Sequence, residues 1–240
     1  MSPHSRFLKR FNKTKGVDTM TVITISRDFG SGGELLAGQV AHSLGYHLVD
    51  KVFVSAVLRQ YGVAEFDVEY EKHAGFWEGI TLEDSGRREI MVRTLNQVLR
   101  AVAVHGNVVI LGRGGYAILS GLADVLHVRL QAPRDDRIAM VRARNHLSLV
   151  EAGALVKKQD AIRKAFIESF YHSTWDTVHA FDIAINTACV PVDRAVEWVL
   201  QAARLPHKDL GARPTTRQLE IDTVMQGTVN EKLDCAIEHA

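Results

Sequence analysis

The chain has 240 residues, of which 46% are hydrophobic and 24% are charged, a composition typical of a globular protein. Its 29 lysine and arginine residues nearly balance its 28 acidic residues, so charge gives no argument for a nucleic acid or a membrane as the main partner. No apolar run is long enough to span a membrane, and no apolar stretch follows the basic amino terminus. We therefore expect a cytoplasmic protein with neither a nucleic acid nor a membrane as its partner, and we leave a homodimer open.

The two ends of the chain differ in composition from its centre. The first 19 residues are basic, polar and non-periodic, which is typical of a disordered leader. Met20 stands immediately before the first predicted strand and offers an alternative start of translation. Residues 20–204 are expected to form one domain. Residues 205–240 are polar, with a junction at Gly211–Pro214, and are expected to form an appended helical or partly disordered tail.

From Thr21 onward, short β-branched runs alternate with longer helical segments. Strands are predicted at residues 21–26, 46–49, 108–112, 125–132 and 182–187. Helices are predicted at about 33–44, 51–61, 87–105, 133–170 with a break near 145–148, and 192–204, whereas residues 62–86 are interpreted as a polar connection. The apolar run at 108–112 does not alternate, as expected of a strand buried on both faces. Together these elements predict a parallel sheet with right-handed crossovers.

A glycine-rich turn, RDFGSGG at residues 27–33, follows the first strand and opens the first helix. Its glycines let backbone N–H groups crowd into an anion nest, and the helix presents its positive end there. The complete phosphate-loop pattern is absent, because Gly33 and Glu34 stand where it has a lysine and a hydroxyl residue. The dinucleotide fingerprint also fails, at Leu35. The turn predicts phosphate binding, with a plain structural turn as the alternative.

Two further segments are rich in arginine. LGRGGYAIL at residues 111–119 follows the third strand, and Arg113 between glycines suits a second phosphate; a salt bridge at the sheet edge is the alternative. A basic cluster follows the fourth strand and contains Arg134, Arg137, Arg142, Arg144, Lys157, Lys158, Arg163 and Lys164. Basic helices there are typical of a lid that neutralises a polyphosphate, although a solvated face is the simpler interpretation of any single arginine.

These segments, in this order, resemble the cytidylate kinase-like family within the P-loop nucleoside monophosphate kinases. The resemblance is carried by residues 23–33, HLVDK at 47–51, residues 111–119, LHVRLQAPRDDRI at 126–138, the Asp160/Arg163 pair and DIAINT at 182–187. It implies an α/β P-loop NTPase fold, a three-layer sandwich whose five-stranded parallel sheet is flanked by helices and carries a helical lid. It also implies an ATP-dependent kinase that phosphorylates CMP or a similar small acceptor, with ATP and Mg²⁺ as cofactors.

The same resemblance implies roles for individual residues. The loop that would bind ATP consists of Arg27, Asp28, Phe29, Gly30, Ser31, Gly32, Gly33 and Glu34. The acceptor would contact Asp50, Arg113, Asp160 and Arg163. The catalytic cations would be Arg27, Arg137 and Arg163. Mg²⁺ would be held by Ser31, with Asp28 and Glu34 as alternatives.

Two departures from the true cytidylate kinases bear on catalysis. Those enzymes carry lysine where this chain has Gly33, and aspartate where it has Gly114. Without the lysine, Arg27 or a lid arginine has to offset the charge on the migrating phosphoryl group. The alternative function is therefore a catalytically impaired nucleotide-binding or regulatory protein of the same fold. A kinase of a non-nucleotide metabolite is a third hypothesis.

Overall fold

A five-stranded parallel sheet forms the centre of the protein. The computed structural model describes residues 21–72, 74–78, 82–175, 177–205 and 213–237. The strands of the sheet are β1 (Val22–Arg27), β2 (His47–Val49), β3 (Val108–Leu111), β4 (Val125–Gln131) and β5 (Ile183–Asn186). Their order across the sheet is β2-β3-β1-β4-β5, and every neighbouring pair is parallel. The predicted strands are confirmed to within about a residue at each end, because each is a short apolar run bounded by turn residues.

Helices connect consecutive strands, and one more follows β5. They are α1 (Gly33–Leu44), α2 (Lys51–Gln60), α3 (Phe66–Lys72), α4 (Ala74–Glu78), α5 (Leu82–His105), α6 (Gly115–Ile118), α7 (Arg134–Asn145), α8 (Leu149–Tyr171) and α9 (Val192–Ala203). After β5 and α9, a 3-10 turn at Thr216–Gln218 leads to α10 (Thr223–Ile237). The break predicted near 145–148 is confirmed and separates α7 from α8.

The interpretation of residues 62–86 as a polar connection is wrong. This segment contains α3 and α4, and α5 begins at Leu82, five residues earlier than predicted. Phe66 and Tyr70 lie four residues apart on one face of α3 and are buried together with Trp77. Burial of these aromatic side chains stabilises the two short helices.

Both faces of the sheet are covered, which makes a three-layer sandwich. Alternate residues of β3 point to opposite faces: Val108 and Ile110 join the core on the side of α5 and α8, whereas Val109 and Leu111 join the core beneath α1 and α9. This explains why the β3 run is apolar without alternation. The predicted three-layer α/β P-loop fold is confirmed, and in open parallel sheets of this kind ligands bind beyond the carboxyl ends of the strands.

Helices α7 and α8 form a hairpin beside the glycine loop, where the resemblance implies a lid. The ring of Phe29 from the loop packs against a small apolar cluster of this hairpin, formed by Leu147 and Leu155 with Ile138, Val141, Ala152 and Val156. The hairpin therefore contacts the loop directly. Its opening and closing as a lid stays a prediction.

The polypeptide after α9 returns to the amino ends of the strands. Thr216 donates from its N–H and its hydroxyl to the Asp124 carboxylate, at 2.8 and 2.7 Å, and α10 buries Met225, Val229 and Leu233 in the core shared with α5. The predicted leader, residues 1–19, lies outside the described residues. No helix in the described ranges is both long and apolar enough to cross a membrane.

Candidate active site

A polar cleft of about 370 Å³ lies at the carboxyl ends of β1 and β3, which are neighbours in the sheet. Arg27 ends β1, Arg113 follows β3, and Arg163 projects from α8; all three line the cleft. The other lining residues are Phe29, Glu34, Lys51, Tyr70, Glu71, Leu111, Asn145, Leu155 and Gln159. In a parallel α/β sheet this edge is where ligands bind.

The glycine loop borders this cleft. Gly30 and Gly32 adopt left-handed backbone conformations, with φ of 87° and 82°, which side chains other than glycine rarely tolerate. Gly32 precedes the first turn of α1, and no side chain caps that helix amino terminus. Its first N–H groups are therefore available to an anion, and the helix dipole favours negative charge there.

Arg27 is a largely buried cation with few partners. Its guanidinium Nη2 lies 3.5 Å from Oε1 of Glu34, and 17% of its side chain is exposed. Its Nε–H is buried without a hydrogen-bond acceptor within the described chain. Burial, together with the neighbouring Arg163, lowers the pKa of Arg27 to about 10. Arg27 is therefore still charged at neutral pH.

Arg113 stands in a left-handed backbone conformation, with φ of 51°, which is uncommon outside glycine and is found at functional sites. Its Nη2 donates to Oδ1 of Asp67 at 2.5 Å, and the other Asp67 oxygen accepts from Ser55. The guanidinium lies 4.4 Å from the ring centre of Tyr70, a cation–π contact. Its Nε–H has no acceptor in the part of the chain that is described.

Arg163 is buried beside Arg27. It donates to the main-chain oxygen of Arg27 at 3.3 Å, and its guanidinium lies 5.2 Å from the ring centre of Phe29. Burial lowers its pKa, while nearby groups including Glu34 act in the opposite direction. Within the described ranges it forms no ion pair with a carboxylate.

The cleft thus holds an excess of buried positive charge. Three guanidiniums converge on it, and only Glu34 and Asp67 pair with them at ion-pair distance among the described residues. Burying a cation without a partner is costly, so such an arrangement points to an anionic ligand. A polyphosphate matches both the arginines and the adjacent nest.

Arg137 and Asp160 hold the backbone of the loop in this structure, and their predicted catalytic and acceptor-binding roles stay predictions. Nη1 of Arg137 lies 2.6 Å from Oδ2 of Asp160 and donates to the Phe29 oxygen at 3.1 Å. The other Asp160 oxygen accepts from the Phe29 N–H at 2.9 Å. Neither residue lines the cleft. Their role in the geometry is to clamp the backbone of Phe29 from both sides.

Two of the three metal ligands predicted in the loop, Ser31 and Asp28, have other partners within the protein. The Ser31 hydroxyl is buried and donates to the Asp28 carbonyl oxygen at 3.0 Å. Asp28 pairs with Arg129 at 2.6 Å. Ser31 as a Mg²⁺ ligand stays a prediction, because neither Ser31 nor Asp28 lines the cleft. Of the three candidates, Glu34 alone lines it, and no cluster of three metal-ligating side chains occurs among the described residues.

Asp50, predicted to contact the acceptor, caps a helix. Its Oδ1 accepts from the N–H groups of Val52 and Phe53, at 2.8 and 3.0 Å, at the start of α2. It does not line the cleft. The residue that follows it, Lys51, does, and it pairs with Glu71 at 3.3 Å. An aspartate one residue before a helix is a common cap, so the sequence contained a signal for this role.

Two residues near the site were missed from the sequence. Asp67, 46 positions away in the chain, supplies a carboxylate to Arg113. The aspartate that the true cytidylate kinases carry beside this arginine is Gly114 in this chain. Arg129 of β4 binds Ser26 and Asp28 and lies 4.2 Å from the ring centre of Trp175. A charged residue inside the apolar β4 run was the only available signal for Arg129, whereas nothing in the sequence pointed to Asp67.

Comparisons with known proteins bear on the family and on the fold. The model of the cytidylate kinase-like family matches residues 22–188, and the chain belongs to that family. A cytidylate kinase of Ignicoccus hospitalis is 28% identical over 181 residues, which cover 75% of this chain and 97% of that protein. The crystal structure of an uncharacterized protein from Eubacterium ventriosum is similar in fold, with a TM-score of 0.61 at 24% identity, covering 76% of this chain and 97% of that one. The class of protein is therefore kinase-like, with the α/β P-loop fold.

Proposed function

We propose that this protein is an ATP-dependent phosphotransferase that transfers the terminal phosphoryl group of ATP to CMP or to a similarly small phosphorylated acceptor. The observation that carries the proposal is the excess of buried positive charge beside the glycine loop, where Arg27, Arg113 and Arg163 face two carboxylates among the described residues. Membership of a kinase-like family supports the reaction type. CMP is chosen because the curated relative is a cytidylate kinase.

The proposed reaction needs positioning and charge neutralisation more than acid–base groups. The bond between the terminal phosphorus of ATP and its bridging oxygen breaks while an acceptor oxygen bonds to the phosphorus, which leaves ADP. An acceptor phosphate oxygen is already anionic, so no base is needed. The loop would hold the ATP phosphates, Arg113 would bind the acceptor anion, and Arg27 and Arg163 would offset the charge between them.

Mg²⁺ fits this site in a restricted way. Mg²⁺ usually keeps several waters and is held by substrate phosphates with one or two carboxylates. Glu34 lines the cleft next to the loop, and its pKa is lowered, because Arg27 and Arg163 outweigh the opposing effect of burial. Glu34 would therefore be ionised and is the carboxylate we propose for the metal, which would supply charge neutralisation when bound.

A nucleotide-binding protein without phosphoryl transfer is the second candidate. Gly33, at the position of the missing lysine, favours it, because removing one aligned electrostatic contact typically costs about 10²–10³ in rate. The two candidates agree on the nucleotide and differ only in turnover.

The test is an assay of ADP formation with ATP, Mg²⁺ and each nucleoside monophosphate in turn. We expect turnover that depends on CMP or a small number of acceptors, and a loss of at least a hundredfold in Arg113→Ala. Arg217→Ala is the matched control, because Arg217 is exposed in the 3-10 turn next to Asp124 at the opposite end of the sheet. Binding of ATP without ADP formation from any acceptor would favour the second candidate.

A further inference from the structure

The side chain of Arg27 covers the position that Gly33 leaves empty. A Cβ atom on Gly33 would lie 2.7 Å from Cγ of Arg27 and 3.0 Å from its Cβ. The first of these contacts is shorter than real Cβ atoms make, and the second is tighter than nine in ten of their contacts. Arg27 in this conformation therefore requires the absence of a side chain at position 33, although position 33 is helical and Gly33 has no positive φ.

The far end of Arg27 occupies a second space left by a glycine. A Cβ atom on Gly112, at the end of β3, would overlap Nη1 of Arg27. The side chain thus runs from the first turn of α1 to the end of the neighbouring strand. The guanidinium lines the cleft together with those of Arg113 and Arg163.

Position 33 is where a phosphate loop carries the lysine that reaches the terminal phosphates. We infer that Arg27, at the end of β1, supplies this cation instead, and that Gly33 leaves the space that the Arg27 side chain occupies. The inference rests on the proposed function. Among the loop's neighbours, Arg137 is excluded because its Nε and Nη1 donate to Ala132, Phe29 and Asp160. Arg27 has its Nε–H without an acceptor in the described chain.

Arg163 does not replace the lysine either. It projects from α8, and among the described residues its one hydrogen bond to the loop is to the carbonyl oxygen of Arg27. Its guanidinium lies on the ring of Phe29, outside the first turn of α1. Arg27 and Gly33 therefore form an exchanged pair: the strand carries the cation and the helix carries the glycine.

A double-mutant cycle of melting temperatures tests the pairing of Arg27 with Gly33 without reference to activity. Alanine is a better helix former than glycine, so Gly33→Ala should raise the melting temperature wherever there is space for a methyl group. In the wild-type background we expect Gly33→Ala to lower it, because the methyl group collides with Arg27. In the Arg27→Ala background we expect the same change to raise it. Equal effects in the two backgrounds would overturn the pairing.

The functional test is the reciprocal exchange. Arg27→Ala and Gly33→Lys should each weaken ATP binding measured by calorimetry at least tenfold, the first by removing the cation and the second by collision. The ATP affinity of the double variant Arg27→Gly/Gly33→Lys should recover to within a few-fold of the wild type, since this variant carries a lysine at the usual position in a phosphate loop. Failure of the double variant to recover, in a protein that melts like the wild type, would contradict the inference.

The same titrations separate this inference from the proposed function. Wild-type protein that binds ATP without turnover would contradict the phosphotransferase, while the exchange would still be judged from affinity. Wild-type protein that binds no ATP would contradict both. Arg217→Ala, which is remote from the cleft, should bind ATP as the wild type does, and Arg27→Ala with unchanged ATP affinity would overturn the role of Arg27.

Discussion

Two groups of buried arginines surround the glycine loop, and they differ in how fully they are paired. Arg129 and Arg137, on the β4 and α7 side, each lie 2.6 Å from a carboxylate oxygen and donate to further acceptors. Arg27, Arg113 and Arg163 line the cleft, and two of them keep an Nε–H without an acceptor in the described chain. The first group fixes the shape of the loop. The second group has N–H donors that a bound anion could accept from, as an anion-binding site requires.

The largest effect should come from the cleft group. Arg163→Met keeps much of the side-chain volume and removes the charge, so we expect the turnover number to fall by about 10²–10³. The melting temperature should stay the same or rise, because a cation without an ion pair in the described structure is removed from a buried place. Turnover and thermal unfolding of the same preparation measure both. A loss of stability with unchanged turnover would assign Arg163 to the other group.

The loop-holding group should behave in the opposite way. Arg137→Met leaves Asp160 without its cation, and we expect the free energy of unfolding to fall by about 3 kcal/mol. Urea titration measures this. Replacing both members, as Arg137→Met/Asp160→Leu, should recover part of the loss, since no buried charge is left unpaired. An undiminished free energy of unfolding in Arg137→Met would show that the clamp on Phe29 contributes nothing.

Asp67 is the ion-pair partner of Arg113, and removing its charge should leave Arg113 freer to bind an anion. Asp67→Asn removes the carboxylate that holds Arg113, so an added anion no longer competes with it. We expect the affinity for inorganic phosphate to rise about fivefold, which corresponds to about 1 kcal/mol. Glu65→Gln, which removes an exposed carboxylate whose partner Arg87 also lies outside the cleft lining, is the matched control and should change phosphate affinity less. Weaker phosphate binding in Asp67→Asn would contradict competition at Arg113.

The smallest effect concerns Glu34, which is partly exposed and pairs with Arg27 and Arg144. Burial acts to raise its pKa, yet Arg27 and Arg163 leave the pKa lowered from 4.5. A carboxyl whose pKa is lower in the folded state contributes stability above its unfolded pKa and loses it as the pH falls through the folded value. Glu34→Gln should therefore flatten the loss of stability below pH 4.5. An unchanged acid limb in unfolding experiments would contradict this.

The sequence predicted the sheet well because its signal is local. The run at 108–112 is apolar throughout and ends at a glycine, so its strand and its burial could be inferred together. Residues 62–86 failed because Phe66, Tyr70 and Trp77 are separated by acidic and glycine residues, which hide the helical period. Their burial depends on α8, far along the chain, and no local pattern contains that information.

For the site, residue type was predictable and pairing was not. Arg27, Arg113 and Arg163 could be selected because arginines follow strand ends or occupy a basic helix. Which carboxylate each arginine meets depends on three-dimensional packing, so the contacts of Asp160 with Arg137 and Phe29 could not be predicted. The close contact between the Arg27 side chain and Gly33 likewise depends on the angle between β1 and α1, which cannot be read from the sequence.

The most direct test of the account is a crystal structure of the protein with Mg²⁺ and a non-hydrolysable analogue of ATP. We predict that the triphosphate lies against the N–H groups of residues 30–34, with the guanidiniums of Arg27 and Arg163 within hydrogen-bond distance of its terminal phosphate oxygens. Arg129 and Arg137 should keep their present carboxylate partners. A triphosphate bound away from this cleft, or one that contacts neither cleft arginine, would contradict the division of the arginines into two groups.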